Sequence, residues 1–305
     1  MNRKDFLKYI SFTSAGVILT PWKAISKFAA EESIKISVLH TNDWHSHIDP
    51  FPHDDPKYPG LGGAAKRSWL IQQIRKREKN VLLLDAGDVF QGTPYFNFYG
   101  GKLEFELMSK MKYDAATLGN HDFDNGLQGL KKMLPFAQFP FVNTNYDFSD
   151  TILHNQFKPY QIFTKQNVKI GVLGVGVELN GLVSKKNYEN TRYLDPISSV
   201  QKTTDILRND EKCDIVICLS HLGYKYNSNK VSDIVLAKET HGIDIIIGGH
   251  THTFLDKPDI QKNKKGKPVV INQVGWAGVR LGKIDIFYHP QSGESTAKAS
   301  FFDIF

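Results

Sequence analysis

The sequence predicts an α/β protein, and three observations carry that prediction. Short apolar runs alternate with amphipathic helical stretches along most of the chain, the order expected of strands and helices in layers. Runs such as Val81-Leu82-Leu83-Leu84 are apolar at every position, as strands covered on both faces must be. Several of these runs end in Asp, Asn or His, which places polar chemistry along one sheet edge.

Taken in order, Ile34–Leu39 reads as a strand that runs into His40-Thr41-Asn42-Asp43-Trp44-His45. Residues 46–60 are rich in Pro, His and Asp and read as a loop. Gly62-Gly63 opens a helical pattern to Arg77, and Val81–Leu84 is a strand ending in Asp85-Ala86-Gly87-Asp88. A helix over 103–112 precedes the strand Ala115–Leu118, which delivers Gly119-Asn120-His121-Asp122-Phe123-Asp124. A helix over 127–133 is stopped by Pro135, and Phe139–Asn143 reads as a short strand. Residues 159–164 and 168–175 flank Lys165-Gln166-Asn167 as a hairpin. Helices over 196–209 and 229–240 alternate with strands Asp214–Leu219 and Ile243–Ile247. The first of these strands ends in Ser220-His221, the second in Gly248-Gly249-His250-Thr251-His252. Val269–Asn272 and Gly282–Tyr288 are the last predicted strands.

Composition narrows the function classes. The net charge of +6 and pI near 9.0 suggest nucleic acid, but position argues against it. Arg3, Lys4, Lys8, Lys23 and Lys27, against Asp5 alone, supply most of the excess. The run Lys262, Lys264, Lys265 and Lys267 reads as a solvated loop. Residues 1–30 are expected to be an export signal, with Arg3-Lys4-Asp5-Phe6-Leu7-Lys8 like a twin-arginine motif and cleavage near Ala30. Its apolar stretch, Tyr9–Leu19, is too short to span a bilayer, which takes about 20 residues. A periplasmic location is therefore expected, with residues 31–305 as one catalytic domain. Cys213 and Cys218, five residues apart on one predicted strand, lie roughly 16 Å apart and read as free buried thiols.

The chemistry lies at the strand ends. Asp43, His45, Asp88, Asn120, His221, His250 and His252 share one topological address, and together they predict a binuclear metal site. Two divalent ions about 3.5–4 Å apart repel each other and need a bridging carboxylate. Asp88 is the chosen bridge. Asp43, His45 and His252 would complete one ion's shell, and Asn120, His221 and His250 the other's. Imidazole, carboxylate and amide donors without thiolate suit Mn, Zn, Fe or Co. A water held between the ions would be acidified into a nucleophile at neutral pH.

Asp43-x-His45, Gly87-Asp88, Gly119-Asn120-His121-Asp122, Ser220-His221 and Gly249-His250-Thr251-His252, in this order, resemble the calcineurin-like metallophosphoesterases. The finer text, including Gly87–Gly92, Asn120–Asp124, Ser220–Gly223 and Gly275–Gly282, is similar to their 5'-nucleotidase branch, and the resemblance spans residues 34–289. It implies a four-layer αββα sandwich of two mixed β-sheets with flanking helices. It also implies a catalytic dyad, His121 oriented by Asp124, with Asn120 and His121 touching a phosphoester substrate, a nucleotide in the first instance. Members of this branch continue into a nucleoside-binding domain. Here the last predicted strand lies close to Phe305. Specificity is accordingly expected from a separate nucleoside-binding protein or, in the rival view, from the loop Phe51–Leu61. The competing classes are a related hydrolase of cyclic nucleotides, UDP-sugars or sulfur esters, and a non-catalytic subunit. The complete ligand set with His121 and Asp124 argues against the last.

Overall fold

The computed structural model describes residues 33–305, so the expected export signal lies outside the described residues. The strands are β1 (Ile34–Thr41), β2 (Val81–Asp85), β3 (Ala115–Ala116), β4 (Tyr146–Asp147), β5 (Tyr160–Lys165), β6 (Val168–Gly176), β7 (Arg192–Tyr193), β8 (Ile215–His221), β9 (Ile245–Gly248), β10 (Asp259–Lys262), β11 (Pro268–Asn272), β12 (Arg280–His289) and β13 (Glu294–Asp303). The helices are α1 (Ala64–Arg77), α2 (Pro94–Tyr99), α3 (Lys102–Met111), α4 (Gly126–Met133), α5 (Lys185–Tyr188), α6 (Pro196–Asp205) and α7 (Asp233–Glu239). One sheet has the order β13-β12-β1-β2-β3 and the other β10-β11-β9-β8-β6-β5, with β4 and β7 forming a small separate pair. Both large sheets are mixed. β1, β2 and β3 run parallel with β12 antiparallel to β1, and β6, β8, β9 and β11 run parallel between antiparallel edges.

The two-residue side-chain period explains why the core strands are apolar throughout. Ile36, Val38, Leu82 and Leu84 of one sheet meet Ile215, Ile217, Leu219, Ile245 and Ile247 of the other. The alternate residues Leu39, Val81 and Leu83 face Ile71, Phe105 and Met108 of α1 and α3. Val216, Cys218 and Ile246 face Val200 and Leu236 of α6 and α7. The result is helices, sheet, sheet, helices: the four-layer αββα sandwich. Cys213 and Cys218 are free and buried.

Several local expectations need adjustment. The expected strand Ala115–Leu118 is shortened to Ala115 and Ala116, with the Thr117 N–H adding one more bond to the Asp85 carbonyl at 3.1 Å and its hydroxyl turning to the Val142 carbonyl at 2.9 Å. The expected strand Phe139–Asn143 is reduced to single bridges, Ala116 with Phe141 and Val142 with Lys158, since Pro140 has no N–H to give a ladder. Helix α7 begins at Asp233 rather than 229, where the Ser232 hydroxyl caps the Val235 N–H at 3.4 Å. Helix α2 was legible but not expected. Its Pro94 follows Thr93 at the N-terminus, and Gly100 closes it with φ 63°. Strand β13 was also missed, because its inward Ala297 and Ala299 are small residues among polar ones. The chain thus ends against a ten-residue strand and not shortly after β12. Lys262 belongs to β10, while Lys264 is solvated and ion-paired with Glu239 at 3.0 Å. The hairpin of β5 and β6 forms as expected, with Gln166 and Asn167 both left-handed at φ 47° and 69°, the twist a two-residue loop requires. Among the described residues no helix is long and apolar enough to cross a membrane.

One polar residue sits between the sheets. His40 is fully buried and pairs across the strands with Gly282; a Cβ at Gly282 would lie 2.1 Å from the His40 ring. Asn272 Nδ2 donates to His40 Nε2 at 3.0 Å, and burial lowers the His40 pKa to about 3. The unfolded chain takes up this proton near pH 6.5, whereas the folded chain takes it up only near 3. This group therefore removes stability as pH falls from 6.5 toward 3, at up to ~1.4 kcal/mol per pH unit. His40→Gln, which keeps an acceptor for Asn272 and cannot titrate, is expected to lose less stability than the parent between about pH 6.5 and 4. Urea midpoints of the two chelated proteins at both pH values check this; parallel losses would refute it.

Candidate metal centre

The parallel strands of both sheets end at one edge, and there the backbone is bent in an unusual way. Asp43, His45, Asp88, His250 and His252 all have left-handed φ values, 50°, 51°, 56°, 70° and 50°. Non-glycine residues in this region are uncommon, and such strain gathers at functional sites when surrounding structure enforces it. The enforcement is visible. Asp43 N–H donates to the Gly87 carbonyl at 2.9 Å, His45 N–H to the Asp88 carbonyl at 3.0 Å, and Ala277 N–H to the Asp43 carbonyl at 2.7 Å. His250 N–H donates to both oxygens of the Asp43 carboxylate at 3.0 Å.

These turns aim the side chains into two groups. Asp43, His45 and His252 form one, and Asp88, His221 and His250 the other; within each group the possible ligand atoms lie within 4.8 Å of one another. The groups adjoin. His45 Nε2 is 3.8 Å from Asp88 Oδ2, and His221 Nε2 is 4.0 Å from Asp43 Oδ1. The tautomers follow from the partners. His45 Nδ1 donates to the carbonyls of Phe90 and Gln91 at 3.2 and 3.1 Å, and His221 Nδ1 to that of Ala86 at 2.7 Å. Each imidazole then presents Nε2 inward, the arrangement in which a metal-ligating histidine is oriented by its other nitrogen.

The donor set fits two divalent cations. The Asn120 side-chain oxygen is buried without any partner, an expensive state for an amide oxygen unless a cation or water meets it. His221 Nε2 stands 3.0 Å from Asp88 Oδ2, a gap that needs a positive charge. In the metal-free chain a proton supplies it. Burial pulls the His221 pKa down, but the carboxylates of Asp88 and Asp43 outweigh this and raise it to about 10. Burial likewise pushes Asp88 up, and the neighbouring imidazoles of His221, His45 and His121 overcome it to hold the carboxyl below its usual range. His250 is lowered to about 4 by burial and by His221, so it offers a neutral ring.

His121 and Asp124 lie beside this cluster. His121 Nδ1 donates to Asp124 Oδ2 at 2.8 Å, while the His121 N–H donates to Asp88 Oδ1 at 2.7 Å. The Asp124 hydrogen bond raises the His121 pKa, against the opposing effect of burial. The access side is defined by exposure. The His221 side chain is 0% exposed, whereas those of His121 and His252 are 36% and 40% exposed.

Asp122, inside the Asn120–Asp124 motif, is a structural anchor rather than a ligand. It is fully buried, and its carboxylate accepts the N–H groups of Asp88, Val89, Phe90 and Gly119 at 3.1, 3.1, 3.3 and 2.8 Å. It thereby holds the Asp88 turn against the Asn120 turn. No spacing rule reveals this, because most of its partners are backbone groups of a distant turn; only its place inside the Asn120–Asp124 motif marks it. Other residues settle simply. Trp44 and Phe90 are buried. His47 bonds locally, its N–H donating to the Trp44 carbonyl at 3.1 Å and its carbonyl accepting from Trp44 Nε1 at 2.7 Å, and its ring stacks on Phe51 with centroids 5.0 Å apart. Tyr95 is not a core residue: its hydroxyl donates to Asp49 at 2.7 Å near the surface.

The calcineurin-like phosphoesterase family profile matches residues 36–254, and the chain belongs to that family. It is 33% identical over 276 residues to the snake venom 5'-nucleotidase of Naja atra, covering 84% of this chain and 51% of the relative. It is 30% identical to the trifunctional nucleotide phosphoesterase protein YfkN of Bacillus subtilis, over 87% of this chain and 19% of that protein. Among solved structures, the 5'-nucleotidase precursor from Thermus thermophilus superposes with a TM-score of 0.81 at 32% identity, over 89% of this chain and 55% of that one. The chain spans about half the length of the first curated relatives it matches.

Close approach of the turns leaves no room for a side chain at Gly119, where a Cβ would lie 2.2 Å from Asp88 Oδ1 and 2.5 Å from the Asp88 nitrogen. Gly119→Ala is expected to displace Asp88 and weaken metal binding by roughly 10–100-fold, as loss of an orienting contact does. Asp88→Asn, which removes the charge between the two groups, is expected to lose metal more completely. Metal content after dialysis, read by elemental analysis, checks both; a fully loaded Asp88→Asn protein would refute the assignment of Asp88 as bridge.

Proposed function

We propose that this chain is a metal-dependent phosphomonoesterase whose substrates are 5'-nucleotides. The observation that carries the reading is the meeting of two ligand groups at Asp43 and Asp88 with the His121–Asp124 pair on their open side. The activities for which the relatives are named, 5'-nucleotidase above all, support the substrate class. Asp43, His45 and His252 would hold one ion, Asn120, His221 and His250 the other, and Asp88 would bridge them. Mn, Zn, Fe or Co suits this donor set. Such a pair polarises the phosphoryl group and acidifies water.

The chain's own residues do the rest. His121 faces the open side, and Asn120 lies buried next to it with its side-chain oxygen unpartnered; the two would contact the phosphate. Asp124 fixes the His121 tautomer, so the proton sits on Nδ1 in the neutral ring and on both nitrogens when His121 is charged. A charged His121 stabilises the leaving oxygen or gives it a proton. His121→Ala is expected to keep both ions and lose rate by roughly 10²–10⁴-fold, the usual weight of positioned acid–base help. The loss should be smaller for aryl phosphates, whose leaving groups need little protonation. Single-turnover rates for aryl and alkyl phosphates, with metal content measured alongside, decide this. Equal losses for both would leave charge stabilisation as the only role of His121.

A related diesterase or sulfur-ester hydrolase is the rival activity. A sulfate thiohydrolase, SoxB, shares the fold at TM-score 0.74, but at 17% identity it speaks only to fold. A panel of nucleoside monophosphates, cyclic nucleotides, UDP-sugar and an aryl phosphate diester, offered to the reconstituted chain, separates the classes. Residues 31–305 act as the metallophosphoesterase domain and residues 1–30 as its export signal to the periplasm; cell fractionation of the full-length chain tests the latter. Nucleoside selectivity has two proposed sources, a separate nucleoside-binding protein and the Phe51–Leu61 loop. The contact of Tyr58 with Trp276 beside His252 favours the loop. A strong preference for AMP over an alkyl phosphate in kcat/KM by the purified chain alone would support it, and no preference would support the separate protein.

A further inference from the structure

The histidines of the site are not all anchored alike. His45, His221 and His121 each place Nδ1 on an oxygen, at 3.1, 2.7 and 2.8 Å. His250 and His252 have no such bond. The His252 side chain is 40% exposed, its backbone is left-handed, and its ring nitrogen approaches only His45 Nε2 at 2.9 Å and Asp43 Oδ1 at 3.4 Å. Those are the atoms that a bound ion would claim. What sets the plane of the His252 ring is Trp276, which lies parallel to it, 2° between planes and 5.4 Å between centroids.

We propose that Trp276 is the positioning residue for His252, and that through it the loop 51–61 controls occupancy of the ion held by Asp43, His45 and His252. This rests on the two-ion reading given above. A ligating histidine is ordinarily oriented by a hydrogen bond from its second nitrogen, and losing that partner costs about 10–100-fold in metal affinity. Here an offset aromatic stack takes the place of that bond. Without it, the exposed ring is free to turn about its side-chain torsions and leave its ion with three protein ligands of the four, Asp43, His45 and the bridging Asp88.

Trp276 is itself held on both sides. On the site side, Ala277 N–H donates to the Asp43 carbonyl at 2.7 Å, and Asn42 Nδ2 donates to the Gly275 carbonyl at 2.5 Å. Gly275 and Gly278 are packed so closely that a Cβ would lie 2.1 Å from the Phe254 ring and 2.2 Å from Arg67 Nη1, which leaves the segment little freedom to shift. On the loop side, Trp276 Nε1 donates to the Tyr58 hydroxyl at 3.2 Å, and the rings of His47 and Phe51 meet its face or edge at 5.1 and 6.1 Å. The loop closes on itself through Phe51 N–H to the Leu61 carbonyl at 2.8 Å and Gly60 N–H to the Pro52 carbonyl at 3.0 Å. The second ligand group is held apart from Trp276: His250 meets His221 edge to face at 5.2 Å, and His221 is anchored on Ala86. The effect of Trp276 is therefore confined to one ion of the two.

The test is Mn²⁺ titration of the chelated, full-length protein by calorimetry or equilibrium dialysis, comparing the parent with Trp276→Leu, which keeps apolar volume, and Trp276→Phe, which keeps an aromatic face. The parent is expected to bind two ions. Trp276→Leu is expected to bind one ion as the parent does and the other roughly 10–100-fold more weakly. Trp276→Phe should recover most of the loss. Tyr58→Phe, which frees the indole N–H without removing the stack, should fall between them. Parent-like affinity at both sites in Trp276→Leu would overturn the proposal. Equal weakening of both ions in every variant, Trp276→Phe included, would overturn it too, as the mark of a general structural role. A parent protein that binds no Mn²⁺ would instead overturn the two-ion reading itself.

Discussion

Two carboxylates, Asp43 and Asp88, are buried where the sheets of the sandwich meet, and both approach the same imidazole, His221. Burying like charges in such a place is costly unless positive charge is brought to them. Much of the surrounding structure serves that need. The neighbouring histidines, the backbone N–H groups of His121 and His250, and the turns that carry them all face this pair. In the metal-free chain the carboxylates raise His221 so that its proton offsets part of this charge, and the unpartnered oxygen of Asn120 marks where further positive charge belongs.

The strained turns follow from the same requirement. A strand directs its side chains perpendicular to the sheet, so residues that leave several strand ends in extended form cannot all reach one point. Left-handed φ values at Asp43, His45, Asp88, His250 and His252 turn the chain back sharply over the sheet edge. Asp122 ties the Asp88 turn to the neighbouring Gly119–Asn120 turn through four N–H groups, and the absence of a side chain at Gly119 lets the two touch. Strain of this kind costs on the order of 1–3 kcal/mol per residue, and the two large apolar faces of the sandwich supply the stability that tolerates it.

The site is also asymmetric. Its inner half rests on fully buried groups, Asp88 and His221, fixed through backbone contacts. Its outer half opens between His121 and His252, and there the supports are side chains: Asp124 for one, Trp276 for the other. Side-chain supports respond to a bound substrate more readily than backbone ones. The loop 51–61 reaches the outer half through Trp276, which the Tyr58 hydroxyl and the Phe51 ring both meet and which in turn stacks on His252.

The sequence by itself determined the α/β layering and the edge where polar chemistry gathers, because the side-chain periods are local and the apolar runs end in donor residues without ambiguity. Asp43, His45, Asp88, Asn120, His121, Asp124, His221, His250 and His252 were all legible as candidates for that reason. Strands with weak local signals were not: β13 presents small alanines, and Phe139–Asn143 carries a proline that breaks the ladder. What only the tertiary structure decided are relations between distant segments. The anchoring of Asp122 on Asp88 across the two turns, the burial of His40 against Gly282, and the stacking of Trp276 on His252 involve backbone groups or ring faces that no spacing in the chain records. They arise because packing two sheets face to face brings together strand ends that are far apart in sequence, and contacts of that kind exist only once the layers have closed.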